Sequence, residues 1–342
     1  MKKKVVLKDI AKEVGVSIAT VSYVLSNGKD GRIGKEVTAK IKKVAKELDY
    51  QPNLIAKSLK SGKTNTIGLI VTDLSNPFYA HIARIIEDEV TQLGYTLMVS
   101  SSDEKAEKSW NLIKFLMHRQ VDGFIIVPTA ESEDQIEHLK EKKIPFVLID
   151  RYFPEIPSHH VVVDNYTSAY KVVENLIQTG NTKIGILTQG NSLSHMKERT
   201  RGAIAAMEKH HLTINPTWLK EINFDSVEED IAKGIEDLLT GDDPVTAIFF
   251  ASNSLAIPGI KKVNHLGLKV PTDITIASFD QGEAFDLYYS PITYVHQPLS
   301  DLGKEAVHIL TTEIASPGSG YQQVNLNAKM VVKESSRKDL IF

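Results

Sequence analysis

The chain has 342 residues, of which 42% are hydrophobic, 24% charged and 7% aromatic, with 20 Gly, 13 Pro and no Cys. That is a globular composition, which excludes collagen, mucin-like stalks and disordered tails, and at roughly 150 residues per domain it implies about two or three compact units. The absence of Cys excludes disulfides, thiolate metal sites and a cysteine nucleophile.

The formal net charge of -3 hides an asymmetry. Residues 1–63 carry 14 Lys and one Arg against six acids, a net of +9, which leaves -12 on residues 64–342. A basic head on an acidic body suits phosphate neutralisation by one segment and repulsion of DNA by the rest. A merely solvated lysine-rich face would give the same count, so the pattern inside the head has to decide. Met1 to Lys4 could mimic the start of a secretion signal, but Lys8, Asp9, Lys12 and Glu13 follow at once and leave no apolar segment. No later apolar run approaches the roughly 18 residues of a membrane span. The expectation is a cytoplasmic protein without a membrane partner.

Leu7, Ile10, Ala11 and Val14 recur at helical spacing and stop at Gly15, the residue best suited to a left-handed helix exit. Ser17 offers an N-cap to a second helix, Ile18 to Leu25, with Val21, Val24 and Leu25 as its buried stripe. Two helices crossing steeply need a small residue at the contact, a glycine in the turn and a branched apolar residue on the second helix. Ala11, Gly15 and Val21 supply these and predict a helix-turn-helix. A third helix, Lys35 to Leu48, buries Val37, Ile41, Val44, Ala45 and Leu48 and turns Lys40, Lys42, Lys43 and Lys46 to solvent. After Tyr50-Gln51-Pro52, the stretch Asn53 to Lys60 again has helical spacing. At about two turns it is too short to fold alone, so it is a candidate for folding on DNA.

From Thr66 onward, apolar runs alternate with amphipathic helices: Ile67 to Val71, Leu97 to Ser100, Phe124 to Val127, Phe146 to Ile149, Val161 to Val163, Ile184 to Leu187, Ala247 to Phe250 and Ile274 to Ala277. Such runs predict parallel sheets covered on both faces, and roughly 270 residues suit two sheets better than one. Ligands of such sheets sit beyond the carboxyl ends of the strands, where this chain places Asp73, Asp150, Arg151, Asp164, Asn253 and Asp280.

The strings Leu7-Lys8-Asp9-Ile10-Ala11, Gly15-Val16-Ser17, Thr20-Val21-Ser22, Tyr50-Gln51-Pro52-Asn53, Ala56, Leu59, Thr66-Ile67-Gly68-Leu69-Ile70-Val71 and Asn76-Pro77-Phe78 resemble, in order, the LacI/GalR family of bacterial transcription regulators. The resemblance implies an all-α helix-turn-helix head at 5–50 and a hinge helix and linker at 51–63. It also implies an α/β, periplasmic-binding-protein-like body at 64–342 that binds effector and dimerises. That body would divide into an N-subdomain of about 64–162 and 292–320 and a C-subdomain of about 163–291 and 321–336, crossing near Asp164, Pro291 and Tyr321.

The resemblance places base reading on Ile18, Ala19 and Tyr23, with Ser17, Thr20 and Ser22 on phosphates. Tyr23 stands where the family most often has Arg, so one hydroxyl replaces a two-bond grip on guanine and an altered half-site is expected. Gly34 replaces the family's usual Ser cap. The hinge maps to Asn53, Ala56, Lys57, Leu59 and Lys60, with Leu59 as the wedge that unstacks base pairs from the minor groove of a pseudo-palindromic operator. Effector positions fall on Phe78, Tyr79, Asp150, His195, Arg199, Phe224, Asn253 and Asp280, a set suited to a sugar because hydroxyls need paired polar groups and a ring face needs an aromatic. Ser254 replaces the family's usual Asp, and Pro258 is expected to interrupt the following helix.

Signs of catalysis are few. Gly62-Lys63-Thr64 ends like a phosphate-binding loop, but Lys57 stands where its first Gly is required, and no G-x-G-x-x-G, G-x-S-x-G or H-E-x-x-H occurs. His159-His160 and His210-His211 are adjacent and so lack metal-ligand spacing, and neither metal nor cofactor is expected. The reading is a non-enzymatic, effector-controlled DNA-binding regulator, most simply a repressor, acting as a homodimer or a higher oligomer. The alternative is a sugar-binding receptor module without a regulatory role.

Overall fold

The computed structural model describes residues 5–27, 32–51, 62–190, 193–223, 226–318 and 320–337. The chain divides into two compact units, Met1–Thr64 and Asn65–Phe342. Among the described residues no helix is long and apolar enough to cross a membrane.

The described residues of the first unit form three helices, α1 (Leu7–Val14), α2 (Ile18–Asn27) and α3 (Lys35–Glu47). Gly15 leaves α1 in the left-handed conformation, φ 80°, and its N–H returns to the Ala11 carbonyl. The turn is therefore tight enough to lay α2 across Ala11. Ile10, Ala11, Val14, Val21, Val24, Ile41, Val44 and Ala45 form one buried core, with Leu25 and Val37 packed on its margin. Leu48, expected inside, is exposed because α3 ends one residue before it. Gly34 caps α3 through its backbone alone, accepting from the Thr38 N–H.

The second unit holds two six-stranded sheets. The first contains β1 (Thr66–Val71), β2 (Thr96–Ser101), β3 (Gly123–Ile126), β4 (Phe146–Ile149), β5 (His160–Val163) and β11 (Gln323–Leu326), in the order β11-β5-β4-β3-β1-β2, all parallel. Helices α4 (Pro77–Gln92) and α12 (Leu299–Ala315) cover one face. Helices α5 (Ala106–His118) and α6 (Glu133–Glu141) cover the other.

The second sheet contains β6 (Ile184–Gln189), β7 (Leu219–Ile222), β8 (Ala247–Phe250), β9 (Thr275–Ser278), β10 (Thr293–His296) and β12 (Lys329–Val331). Its order is β12-β10-β9-β8-β6-β7, parallel except for the β10–β12 edge. It carries α7 (Asn165–Gln178), α8 (Ser194–Lys209), α9 (Val227–Thr240), α10 (Asn253–His265) and the short α11 (Glu283–Leu287).

Two of the three expected crossings move. β10 lies in the second sheet, so the chain crosses at Gln297–Pro298 and not near Pro291; β11 lies in the first, so the last crossing is at Asn327–Ala328 and not near Tyr321. Both are short segments of alternating polarity with no apolar run to announce them, so the expected crossings take no account of these two strands. Pro258 does not interrupt α10, which runs through it to His265. Proline costs the helix one backbone donor, and the packing of Leu255, Ala256, Ile260 and Val263 into the core holds the helix regardless.

Helices α7 and α8 meet backbone to backbone at Gly202, where an added Cβ would stand 2.2 Å from the Tyr166 carbonyl oxygen. Gly202→Ala is therefore expected to destabilise this unit by about 3 kcal/mol through overpacking. A urea melt with unchanged midpoint would contradict that.

Candidate functional site

In the first unit, α2 turns a short polar and apolar strip outward. Ser17 Oγ accepts the Thr20 N–H at 3.0 Å and lies 2.8 Å from Thr20 Oγ1, so the cap predicted from sequence is formed. Val21 and Val24 anchor the helix inward, which leaves Ile18 (47% exposed) and Ala19 on the surface and Ser22 and Tyr23 half-buried. The Arg32 guanidinium lies 6.0 Å from the Tyr23 ring centroid, within reach of a cation–π contact. Lys40, Lys42, Lys43 and Lys46 are exposed along α3. An exposed strip at a helix start can enter a major groove while cations elsewhere on the head hold phosphates. Asn53, Ala56, Lys57, Leu59 and Lys60 lie outside the described residues, as does Phe224.

In the second unit a cleft opens between the carboxyl ends of the two sheets. Phe78, Tyr79, Asp150, His195, Arg199, Asn253 and Asp280 all line it. The two sheets supply matching carboxylates. Asp150 follows β4 and Asp280 stands just beyond β9, each in the left-handed conformation with φ of 65° and 67°. Asp tolerates this conformation better than most non-glycine residues, and both carboxylate residues line the cleft.

Two guanidiniums neutralise these acids. Arg199 Nε donates to Asn165 Oδ1 at 2.8 Å, Nη1 donates to the Ala251 carbonyl at 2.7 Å and faces Asp280 Oδ2 at 3.5 Å, and the group lies 3.6 Å from the centroid of the Phe279 ring. Arg151 Nη2 donates to Tyr79 Oη at 3.1 Å, and Tyr79 in turn donates to Asp150 Oδ2 at 3.0 Å. Gln297, at the second crossing, donates to Asp280 Oδ1. Across the cleft, Asn253 Nδ2 donates to Asn76 Oδ1 at 3.4 Å, while Asn76 also caps α4 through the Phe78 N–H.

Burial sets the protonation states. It pushes Tyr79 well above its ordinary value, so the phenol stays a donor, and raises Asp150 against the opposing pull of Arg151 and Arg199. His195 is held well below its usual 6.5, first by burial and then by Arg151 and Arg199. It is a neutral imidazole at neutral pH. Because its folded value lies below the unfolded one, its linkage term leaves stability level above pH 6.5 and lowers it as pH falls below that value. His195→Gln is expected to flatten that acid limb in urea melts between pH 5 and 7.5. An unchanged slope would remove His195 as its source.

Among the described residues, five buried atoms of cleft-lining residues have no hydrogen-bond partner: Thr72 Oγ1, Arg151 Nε, His195 Nδ1, Asn253 Oδ1 and Gln297 Oε1. Buried polar atoms are rarely left so, and together they describe the outline of a polar ligand. Sequence reasoning noted Arg151 at a strand end without assigning it to the site, and it missed Asn76, Glu104 and Gln297. Gln297 follows a strand that no apolar run announced, and Glu104 sits in a charged loop that reads as solvent-facing. Asp164, another strand-end acid, spends its carboxylate on capping α7 through the Thr167 N–H.

Residues 64–334 match the family described as periplasmic binding proteins and sugar binding domain of the LacI family, and residues 6–53 match the bacterial regulatory proteins of the lacI family. A ribose operon repressor of Haemophilus influenzae is 31% identical over 96% of this chain and 98% of its own. A LacI family regulator of Enterococcus faecium, solved with bound ribose, superposes with a TM-score of 0.70 at 25% identity, over 80% of this chain and 98% of that one. The Lac repressor dimer bound to operator shares the fold, with a TM-score of 0.86 at 21% identity over 98% and 100% of the two chains. The fold and site define a transcription regulator with a DNA-binding head and a small-molecule cleft. The chain belongs to the LacI family of bacterial regulatory proteins: it binds DNA and represses transcription under the control of a small effector.

Proposed function

We propose that this repressor is released from, or held on, a pseudo-palindromic operator by a small neutral sugar of the pentose class, acting in the cytoplasm as a homodimer. The observation that carries this reading is the polar ring of the cleft. Asp150 and Asp280 can accept hydrogen bonds from sugar hydroxyls, Arg199 can donate to hydroxyl oxygens, and His195, Asn253 and Gln297 supply unpartnered atoms. Phe78 offers an apolar ring for the sugar face; Phe78 and Tyr79 meet edge to face with centroids 4.9 Å apart. Paired charged groups of opposite sign suit hydroxyls, which both donate and accept, better than they suit a flat aromatic base. The relatives named for ribose, and solved with it, support the same class.

DNA reading is assigned to Ile18, Ala19 and Tyr23, with Ser17, Thr20 and Ser22 on the backbone phosphates. Sequence preference is then expected to favour thymine methyl contacts over guanine grips. Calorimetric titration of the full chain with D-ribose, other aldopentoses, hexoses and purine bases tests the effector class. Binding of an aldopentose with no binding of purines is expected. Purine binding without pentose binding would overturn it.

A further inference from the structure

The loop between β2 and α5 brings one more carboxylate into the cleft. Glu104, in the left-handed conformation with φ 56° beside Asp103 at 52°, is only 15% exposed at its side chain. It meets Arg151 fork to fork: Nη1 donates to Oε2 at 2.8 Å and Nη2 to Oε1 at 2.7 Å. The Arg151 Nε faces Asp150 Oδ2 at 3.5 Å, and Nη2 also reaches Tyr79. Both terminal nitrogens are thus hydrogen-bonded within the protein, while Nε faces Asp150 without a hydrogen-bond partner. A phosphate or carboxylate binds arginine through the same fork, so an anionic ligand would have to evict Glu104.

Eviction would leave a poorly solvated carboxylate without its partner, the costly outcome for a buried ion pair. The surroundings add to the cost. Asp73, Glu104, Asp150 and Asp280 line the cleft against Arg151 and Arg199 as the charged partners, so the cavity is net negative. Burial alone would push the Arg151 guanidinium down; Tyr79, Glu104 and Asp150 together hold it above its ordinary value, and it stays charged and engaged.

We propose that Glu104 is a specificity-determining residue of this cleft: by occupying the Arg151 fork it excludes phosphorylated and carboxylated sugars and restricts the effector to uncharged polyols. The inference rests on the reading of the cleft as a sugar site and adds the charge class of that sugar. Glu104 contributes selection, not the main grip, because its carboxylate is committed to Arg151.

The test is titration of the full chain with D-ribose and with D-ribose 5-phosphate, for the wild type, Glu104→Gln and Glu104→Ala, each first shown to be folded by a cooperative urea melt. The wild type is expected to bind the neutral sugar at least about 100-fold more tightly than the phosphate, the scale of an uncompensated like charge. In Glu104→Gln the neutral sugar should stay within about tenfold of wild type while the preference over the phosphate shrinks by about tenfold or more. A wild type that binds both equally, or variants that keep the neutral sugar and the full preference, would overturn the role of Glu104. Loss of the neutral sugar in well-folded variants with no gain in phosphate binding would make Glu104 a positioning residue and also overturn it. A wild type that binds neither compound would instead overturn the sugar reading, and this inference with it.

Discussion

Arg199→Ala is expected to abolish the effector response. Arg199 is 2% exposed and ties its helix to three other elements at once: Asn165 at the start of α7, the Ala251 carbonyl after β8, and Phe279 and Asp280 just beyond β9. Removing it leaves Asp280 buried with only Gln297 and the Asn253 N–H at 3.5 Å to answer its charge. Breaking one partner of such a pair costs about 3–5 kcal/mol of stability. Effector affinity should fall by more than about 100-fold, or about 2.7 kcal/mol, because the Asp280 carboxylate, proposed to receive the sugar, is no longer held in place. Arg199→Lys keeps the charge but not the fork, and should fall between the two. Wild-type effector affinity in a folded Arg199→Ala variant would remove this residue from the site.

Ile41→Ala should act on the other activity. Ile41 is fully buried in the helical head, packed with Ile10 and Val21, and truncating such a residue costs about 2–5 kcal/mol. A core this small rarely supplies more than about 3–5 kcal/mol in total, so the head should unfold. Specific DNA binding is then lost while effector binding continues, because the cleft belongs to a separate compact unit. Retention of operator affinity in this variant, measured beside the pentose titration, would show the head to be far more stable than its size suggests.

What the sequence revealed follows from how each element is stabilised. The three head helices were readable because each buries one stripe against a small shared core, and Gly15 and Ser17 mark the turn chemically. The eight fully or largely apolar strands were readable for the same reason. Strands β7, β10, β11 and β12 were not, because LKEI, TYVH, QVNL and KMV lie toward sheet margins where one side meets water or the crossing segments. The crossings were misplaced with them. In the cleft, acids at the ends of recognised strands could be anticipated, since ligands of such sheets bind there. Glu104 and Gln297 could not, because their roles depend on Arg151 and Asp280, partners 47 and 17 residues away.

One chain that couples operator binding to a neutral sugar should show that coupling in footprinting of the purified protein on the DNA upstream of its own gene, at fixed stated salt, with and without D-ribose. A protected pseudo-palindrome is expected, its occupancy shifting by about 5- to 150-fold with the sugar, the range that a coupling of about 1–3 kcal/mol produces. A protected operator whose occupancy no pentose changes, while the cleft binds that pentose in titration, would contradict the coupling.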